Sequence, residues 1–363
     1  MSFFIQSIYN YTPKPRHLLG LTVVLIGSLF CLWFNSRLDT WTNGGIVGLS
    51  SLTLAILIGM VLGNTVYCYA ATQLHEGVSF SKGEILRLAI IFYGFKLTLT
   101  QVASVGMPAV LSDALVLTST FLLTYWIGTK LLQVDKQTTL LIGAGASICG
   151  AAAIIATEPV VKAEAHKVTI AIATVVVFGT IAMLLYPFLY HLGWLQVWLS
   201  PQDYGVYTGS TIHEVAQVVV AGNAVNTDVG NTAVVTKMIR VMMLAPFLLV
   251  LSFALTKGTS TTGEKQTFFK RAKQVNIPWF AFIFIVAVVL NTWLPSFAGS
   301  ASFNHTMVRI DDLLLTMAMF ALGLTTHLSA IKQAGVKPLI LGAIMFAWLI
   351  LGGGLINIGI SFI

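Results

Sequence analysis

The residues best suited to chemistry fall in two short stretches, each set inside an otherwise apolar run. In the first, Gly143, Gly145, Ser147, Cys149 and Gly150 occupy eight residues and lead into Ala151, Ala152 and Ala153. In the second, Tyr207, Gly209, Ser210, Thr211, His213, Glu214 and Gln217 follow one another with the same outline. Gly145 matches Gly209, Ile148 matches Ile212 and Ala152 matches Ala216. Each glycine costs a helix about 1 kcal/mol relative to alanine. In hydrocarbon, any backbone group freed by unwinding must find another partner. Such clusters mark either close helix packing or unwound backbone that lines a cavity. Unwound backbone at Ser147, Cys149 and Gly150 would expose N–H groups at the start of a second half-helix, which favours an anion. At helical spacing, His213 and Gln217 (i,i+4) and Glu214 and Gln217 (i,i+3) share a face. Ser210 and Thr211 could cap a half-helix starting there. An ionisable pair such as His213 and Glu214 inside a span is costly and reads as proton-titrating; the competing reading is a structural contact between helices.

Other polar residues stand alone in apolar runs. Lys96 could snorkel, pair with an acid or attract an anion. Asp113 reads as a cap near a helix start. Lys237 and Arg240 read as the end of a pathway or as an interface marker, the second being the simpler. Glu158, Lys162 and Glu164 end the first Gly-rich segment, where local ion pairing competes with gating. His327 is a weaker candidate.

The elements that must position these groups are membrane helices. Hydrophobic residues make up 56% of the 363 and charged residues 9%, and the mean hydropathy is +0.86. A soluble domain carries about 25% charged residues, so the solvent of the outer faces is lipid and the chain reads as one transmembrane domain, 1–363. Apolar runs near 17–34, 45–65, 84–104, 108–128, 138–157, 167–190, 205–222, 233–255, 277–295, 311–331 and 338–360 suggest about eleven spans. The first run lacks a small-residue cleavage site and is kept as a helix. The net charge of +7 fits positive-inside loops. Lys14 and Arg16, Lys130 and Lys136, the basic loop at 257–273, and Lys332 and Lys337 then share one side, which places the N-terminus in the cytoplasm and the C-terminus outside. No basic run carries interleaved aromatics, so nucleic acid is not expected. Cys31, Cys68 and Cys149 are scattered, which argues against disulfides or a metal site, and no cofactor motif is found. An enzyme is not expected, because no nucleophile–base set or nucleotide loop is present.

An internal repeat organises the chain into halves at 45–190 and 205–360. Gly94 to Gly106 resembles Gly323 to Gly335: Leu99 matches Leu328, Thr100 matches Ser329 and Val102 matches Ile331. Pro108 and Pro338 follow, and Asn64-Thr65 is echoed by Asn291-Thr292. The two copies have opposite parity, as in the inverted repeats of secondary transporters. Under the same count the two Gly-rich segments run the same way, which an inverted pair forbids. A re-entrant segment between 190 and 210, a different span count or convergent motifs would each explain the conflict.

Ser147 to Ala153, Thr157 to Ala165, Gly209 to Val219, Gly63 to Thr65 and Leu322 to His327 resemble the YeiH family of bacterial inner-membrane proteins over nearly the whole chain. Family members are catalogued as sulfate exporters or left without an assigned activity. The resemblance implies the wider bile-acid symporter and cation–proton antiporter group, with a core that moves, elevator-like, against a scaffold and two crossed discontinuous helices in the core. The expected fold is thus an all-α polytopic membrane protein of about eleven helices. The expected function is secondary transport of a small anion, sulfate or an organosulfonate, across the inner membrane. Ser147, Cys149, Gly150, Gly209, Ser210, Thr211, His213, Glu214, Gln217 and Lys96 would bind it. Glu214, His213, Glu158 and Lys162 would couple or gate, and H⁺ or Na⁺ and a homodimer are the partners considered. The alternative is a cation-coupled antiporter or channel-like pore.

Overall fold

A computed structural model of the chain describes residues 13–41, 50–256, 278–293, 300–326 and 334–362. His327, the basic loop at 257–273, Lys332 and the central part of the second repeat copy lie outside the described residues. Among the described residues the regular structure is helical, with no strand. Fifteen α-helices are described: α1 (Leu18–Trp41), α2 (Ser51–Thr65), α3 (Tyr67–Phe80), α4 (Leu86–Tyr93), α5 (Leu99–Trp126), α6 (Lys136–Ser147), α7 (Ala151–Val161), α8 (Ala165–His191), α9 (Pro201–Thr211), α10 (Val215–Asn223), α11 (Thr227–Met242), α12 (Leu244–Thr256), α13 (Trp279–Trp293), α14 (Ser300–Thr325) and α15 (Val336–Ser361). Among the described residues, five segments are long and apolar enough to cross a bilayer: Pro15–Leu38, Leu99–Leu131, Ala165–His191, Thr227–Leu255 and Val336–Ser361.

The chain divides into two compact units. The first holds Met1–Ser104, Asn223–Val225 and Phe280–Leu328; the second holds Val105–Gly222, Asn226–Trp279 and Ser329–Ile363. In the first unit, glycines let helices approach backbone to backbone. A Cβ on Gly323 of α14 would strike the Ile56 carbonyl and lie 2.9 Å from Gly59 Cα and Met60 N of α2. A Cβ on Gly94, just beyond α4, would lie 2.7 Å from the Phe284 carbonyl, 2.8 Å from Ala287 Cβ and 3.2 Å from Val288 N of α13. The two contacts use the same i, i+3, i+4 spacing, one residue apart relative to Asn64 and Asn291. They end in matching hydrogen bonds: Asn64 of α2 donates to the Thr326 carbonyl at 3.0 Å, and Asn291 of α13 donates to the Leu97 carbonyl at 2.9 Å. Leu97 and Thr326 are equivalent positions of the sequence repeat. Both repeat copies then reach a glycine at positive φ, Gly106 (+48°) and Gly335 (+78°), with a proline two or three residues later.

The second unit is organised along α8. Segments 138–157 and 205–222, read from sequence as spans, are helical hairpins instead. Gln137 at the start of α6 donates to the Lys162 carbonyl past the end of α7, at 2.9 Å, and Lys167 of α8 reaches Gln137 at 2.8 Å and Asp135 at 3.2 Å. Gly145 faces Ile154 and Val175. A straight helix would separate Gln137 from Lys162 by about 38 Å at 1.5 Å per residue. Helix α6 therefore enters, and α7 returns beside it. The other pair does the same. Gly205 of α9 faces Val229 and Thr232 of α11, and Gly209 faces Ala233 and Thr236, so α9 and α11 run parallel. Gly222 at the end of α10 returns to Gly230. Along α8, residues 167 and 175 meet the first hairpin. Gly179 then meets Gln217, Tyr186 stacks on Tyr207 at 5.0 Å and Tyr190 lies 4.4 Å from Tyr204. The hairpins thus lie end to end along one helix, from opposite ends, with their tips together.

This arrangement replaces two crossed, discontinuous helices by two opposed hairpins. Residues 192–198 are turns, and the second hairpin spans 201–223.

Candidate functional site

Each tip is a short break between two helices. Helix α6 ends as the Ile148 N–H reaches the Ala144 carbonyl, and the Gly150 N–H closes back on the Gly145 carbonyl at 3.0 Å. Gly150 takes φ +68°, which a side chain would oppose. In the second tip, Ile212 is extended (φ −70°, ψ 143°) and Gln217 Oε1 accepts from the Glu214 N–H at 3.1 Å. This bond caps α10. The Ser210 and Thr211 hydroxyls, expected to do so, donate back to the Tyr207 carbonyl. Ser147 Oγ likewise turns to the Ala144 carbonyl.

Two fully buried cations on α11 join the tips. Lys237 Nζ donates to the Ile148 carbonyl at 2.7 Å and the Ile212 carbonyl at 2.6 Å. Arg240 donates through Nε to the Ser147 carbonyl at 2.7 Å, through one terminal nitrogen to the Ala146 carbonyl at 3.2 Å and through the other to the Ser210 carbonyl. The last turns of α6 and α9 leave carbonyls without helical partners and carry partial negative charge. One ammonium and one guanidinium satisfy both ends. This is the reason the two breaks can be held together in a protein interior.

Helices α5 and α15 close the site. Ser112 donates to Asn357 Oδ1 at 2.7 Å, and Asn357 donates to Ser210 Oγ at 3.1 Å. Asp113 is fully buried within α5, seven residues beyond the Gly106 kink, so it is no cap. Both its carboxylate oxygens lack a hydrogen-bond partner, and Arg240 and Lys237 are the charges that act on it. His213 is 2% exposed and its Nδ1 has no partner; Gln217 is fully buried.

The structure therefore gathers Ser147, Cys149, Gly150, Gly209, Ser210, Thr211, His213, Glu214 and Gln217 at or beside the meeting point of the tips. Lys96 belongs to the first unit, 2.7 Å from Asp311 and 2.6 Å from Asp312, with its ammonium 5.0 Å from the Tyr93 ring centroid. Glu158 and Lys162 lie near the base of the first hairpin, where Lys162 (φ +52°) terminates α7. Sequence reasoning undervalued Lys237 and Arg240 and passed over Asn357. The available signal was two cations three residues apart in a helix whose other residues are largely apolar.

Long apolar helices, buried polar tips and helix ends capped by buried cations define a helical membrane protein built around two helical hairpins. The family model described as "Conserved hypothetical protein 698" matches residues 19–342, and the chain belongs to that family. The UPF0324 inner membrane protein YeiH of Escherichia coli O6:H1 is 54% identical over 313 residues, covering 85% of this chain and 86% of that protein. The YeiH protein of Salmonella typhi is 54% identical over 313 residues, covering 86% of each chain. A UPF0324 membrane protein of Yersinia pestis is 49% identical over 356 residues, covering 97% of this chain and 95% of its own. No solved structure matches the chain.

Proposed function

We propose that the chain is a secondary transporter of the bacterial inner membrane that moves a small anion, sulfate or an organosulfonate, through the space where the hairpin tips meet. One observation carries this reading. Lys237 and Arg240 neutralise the negative ends of α6 and α9, which leaves the positive ends of the return helices α7 and α10 at the same point. A field of that sign in a protein interior suits an anion that must bind and leave. The relatives named as inner membrane proteins supply the location.

The inverted-repeat reading gains support from the paired contacts of the first unit and the opposed hairpins of the second. Eleven apolar segments less two hairpins leaves nine crossings. Lys14, Arg16, Lys130, Lys136, the 257–273 loop, Lys332 and Lys337 stay on one side, and Lys162 and Lys167 join them. The positive-inside rule makes that side cytoplasmic, with the C-terminus outside. Movement of the hairpin unit against the other, elevator-like, is the transport cycle this architecture suits.

A second reading, a cation-coupled antiporter or channel-like pore, rests on the carboxylates Asp113 and Glu214 beside the tips. Purified protein in proteoliposomes separates the two. Saturable uptake of radiolabelled sulfate or methanesulfonate without sodium supports anion transport; sodium or proton flux with no anion movement would establish the second reading.

A further inference from the structure

We propose that the Glu214 carboxylate is a tethered competitor of the transported anion, resting on the N-terminal end of α7 until a proton releases it. This rests on the anion-transport reading above and adds how the site couples anion to proton. The geometry is specific. Helix α7 has eleven residues and no side-chain cap from Gly150. The group lying over its first turn is Glu214 from the opposite tip: a Cβ on Gly150 would lie 2.5 Å from Glu214 Cγ and 3.1 Å from Oε1, and the Ala151 N–H points to Oε1 at 3.5 Å. Gly150 is thus required twice, for its positive φ and for the space the carboxylate fills. The long Ala151 contact is one that a better-fitting anion could replace.

The surrounding charges decide what such an exchange requires. From α11, Lys237 and Arg240 face the tips. From the first tip, Cys149 interacts with Glu214. From the second tip comes His213, buried with Nδ1 unpartnered, and from α5 comes Asp113. Two cations are balanced by two carboxylates while Glu214 is ionised. Adding an anion then leaves the buried site with excess negative charge, which is expensive at low dielectric. A proton on Glu214 removes one negative charge, the whole of a sulfonate's and half of sulfate's, and with it the attraction that holds the carboxylate on α7. Glu214 is half-buried whereas Asp113 is fully buried, so Glu214 is the more accessible of the two carboxylates. Anion and proton therefore enter together. The proton goes to the Glu214 carboxylate oxygen, no covalent bond of the anion changes, and the proton leaves when the carboxylate returns to α7.

The test is sulfate binding to detergent-solubilised, full-length protein. Titrations at constant ionic strength are followed by thermal shift, with a pH-indicator dye in weakly buffered solution. In the wild type, sulfate binding should take up about one proton, and the apparent Kd should rise about tenfold for each pH unit above the Glu214 titration. Glu214→Gln should bind sulfate with a Kd that is flat with pH and takes up no proton, while Glu214→Asp keeps the dependence. Should Glu214→Gln fail to fold, the wild-type proton count decides alone. Sulfate binding without proton uptake, or a Glu214→Gln variant with the wild-type pH dependence, overturns the competitor role and leaves the anion reading standing. No sulfate or methanesulfonate shift in the wild type at any pH overturns both.

Discussion

Replacing Lys237 by methionine removes one of the two side chains that bond both hairpin tips. The Ile148 and Ile212 carbonyls lose partners at 2.7 and 2.6 Å. A hydrogen bond to a charged group contributes about 1.5–3 kcal/mol, so the gross loss is about 3–6 kcal/mol. Not having to bury an ammonium offsets part of this. What remains is at least two buried carbonyls without partners, at about 1 kcal/mol each. A tip held closed by about 2 kcal/mol less should open about thirtyfold more often. Cys149 sits in the first tip and is 5% exposed, so its alkylation reports the opening. In a background with Cys31→Ala and Cys68→Ala, Lys237→Met should raise the maleimide labelling rate of Cys149 about thirtyfold, with Arg240 still tying Ser147 to Ser210. A folded, monodisperse Lys237→Met protein that labels at the parent rate would refute the tip-locking role.

Asn64→Ala and Asn291→Ala should each lower stability by about 1 kcal/mol, with Asn291→Ala the larger because that residue is buried and also accepts from Asn304 at 2.6 Å; thermal unfolding in detergent checks this, and no loss from either would contradict the paired contacts. Lys96→Met should cost about 3–5 kcal/mol by leaving Asp311 buried without its cation, and Lys96→Met with Asp311→Asn should recover part of it, again read by thermal unfolding. Burial raises the Asp135 carboxyl, but the Thr138 N–H and Lys167 outweigh it and hold the carboxyl below its usual value. Its contribution at the base of the first hairpin is therefore present at neutral pH and lost as pH falls below about 4. Asp135→Ala should cost about 1 kcal/mol at pH 7 as a lost N-cap and flatten that acid dependence.

The class of fold was legible because it follows from composition. A chain with 9% charged residues has nowhere to fold but a bilayer. The two tips were legible because Gly143, Gly145 and Gly150, and the polar run from Ser210 to Gln217, break the apolar pattern. That these segments turn back was not, since hydropathy measures polarity and not direction, and α6 plus α7 contain about as many residues as one span. The only warning was the parity conflict. Asp113, Lys237 and Arg240 were visible as charges in apolar helices, but their roles depend on which backbone ends they meet. The carbonyls of Ala146, Ser147, Ile148, Ser210 and Ile212 carry no mark in the sequence. Lys96 shows the opposite failure: a lone cation in a span looked like an anion ligand, and its acids, Asp311 and Asp312, lie more than two hundred residues away.

The most direct test is a structure of the protein in lipid nanodiscs with saturating sulfate at acidic pH. Density for the anion should lie at the first turns of α7 and α10, within hydrogen-bond reach of the Ala151 N–H, with Glu214 turned away from Gly150. Anion density at Lys96, or tips that hold Glu214 unmoved with the anion elsewhere, would contradict the assignment of the hairpin tips as the transport site.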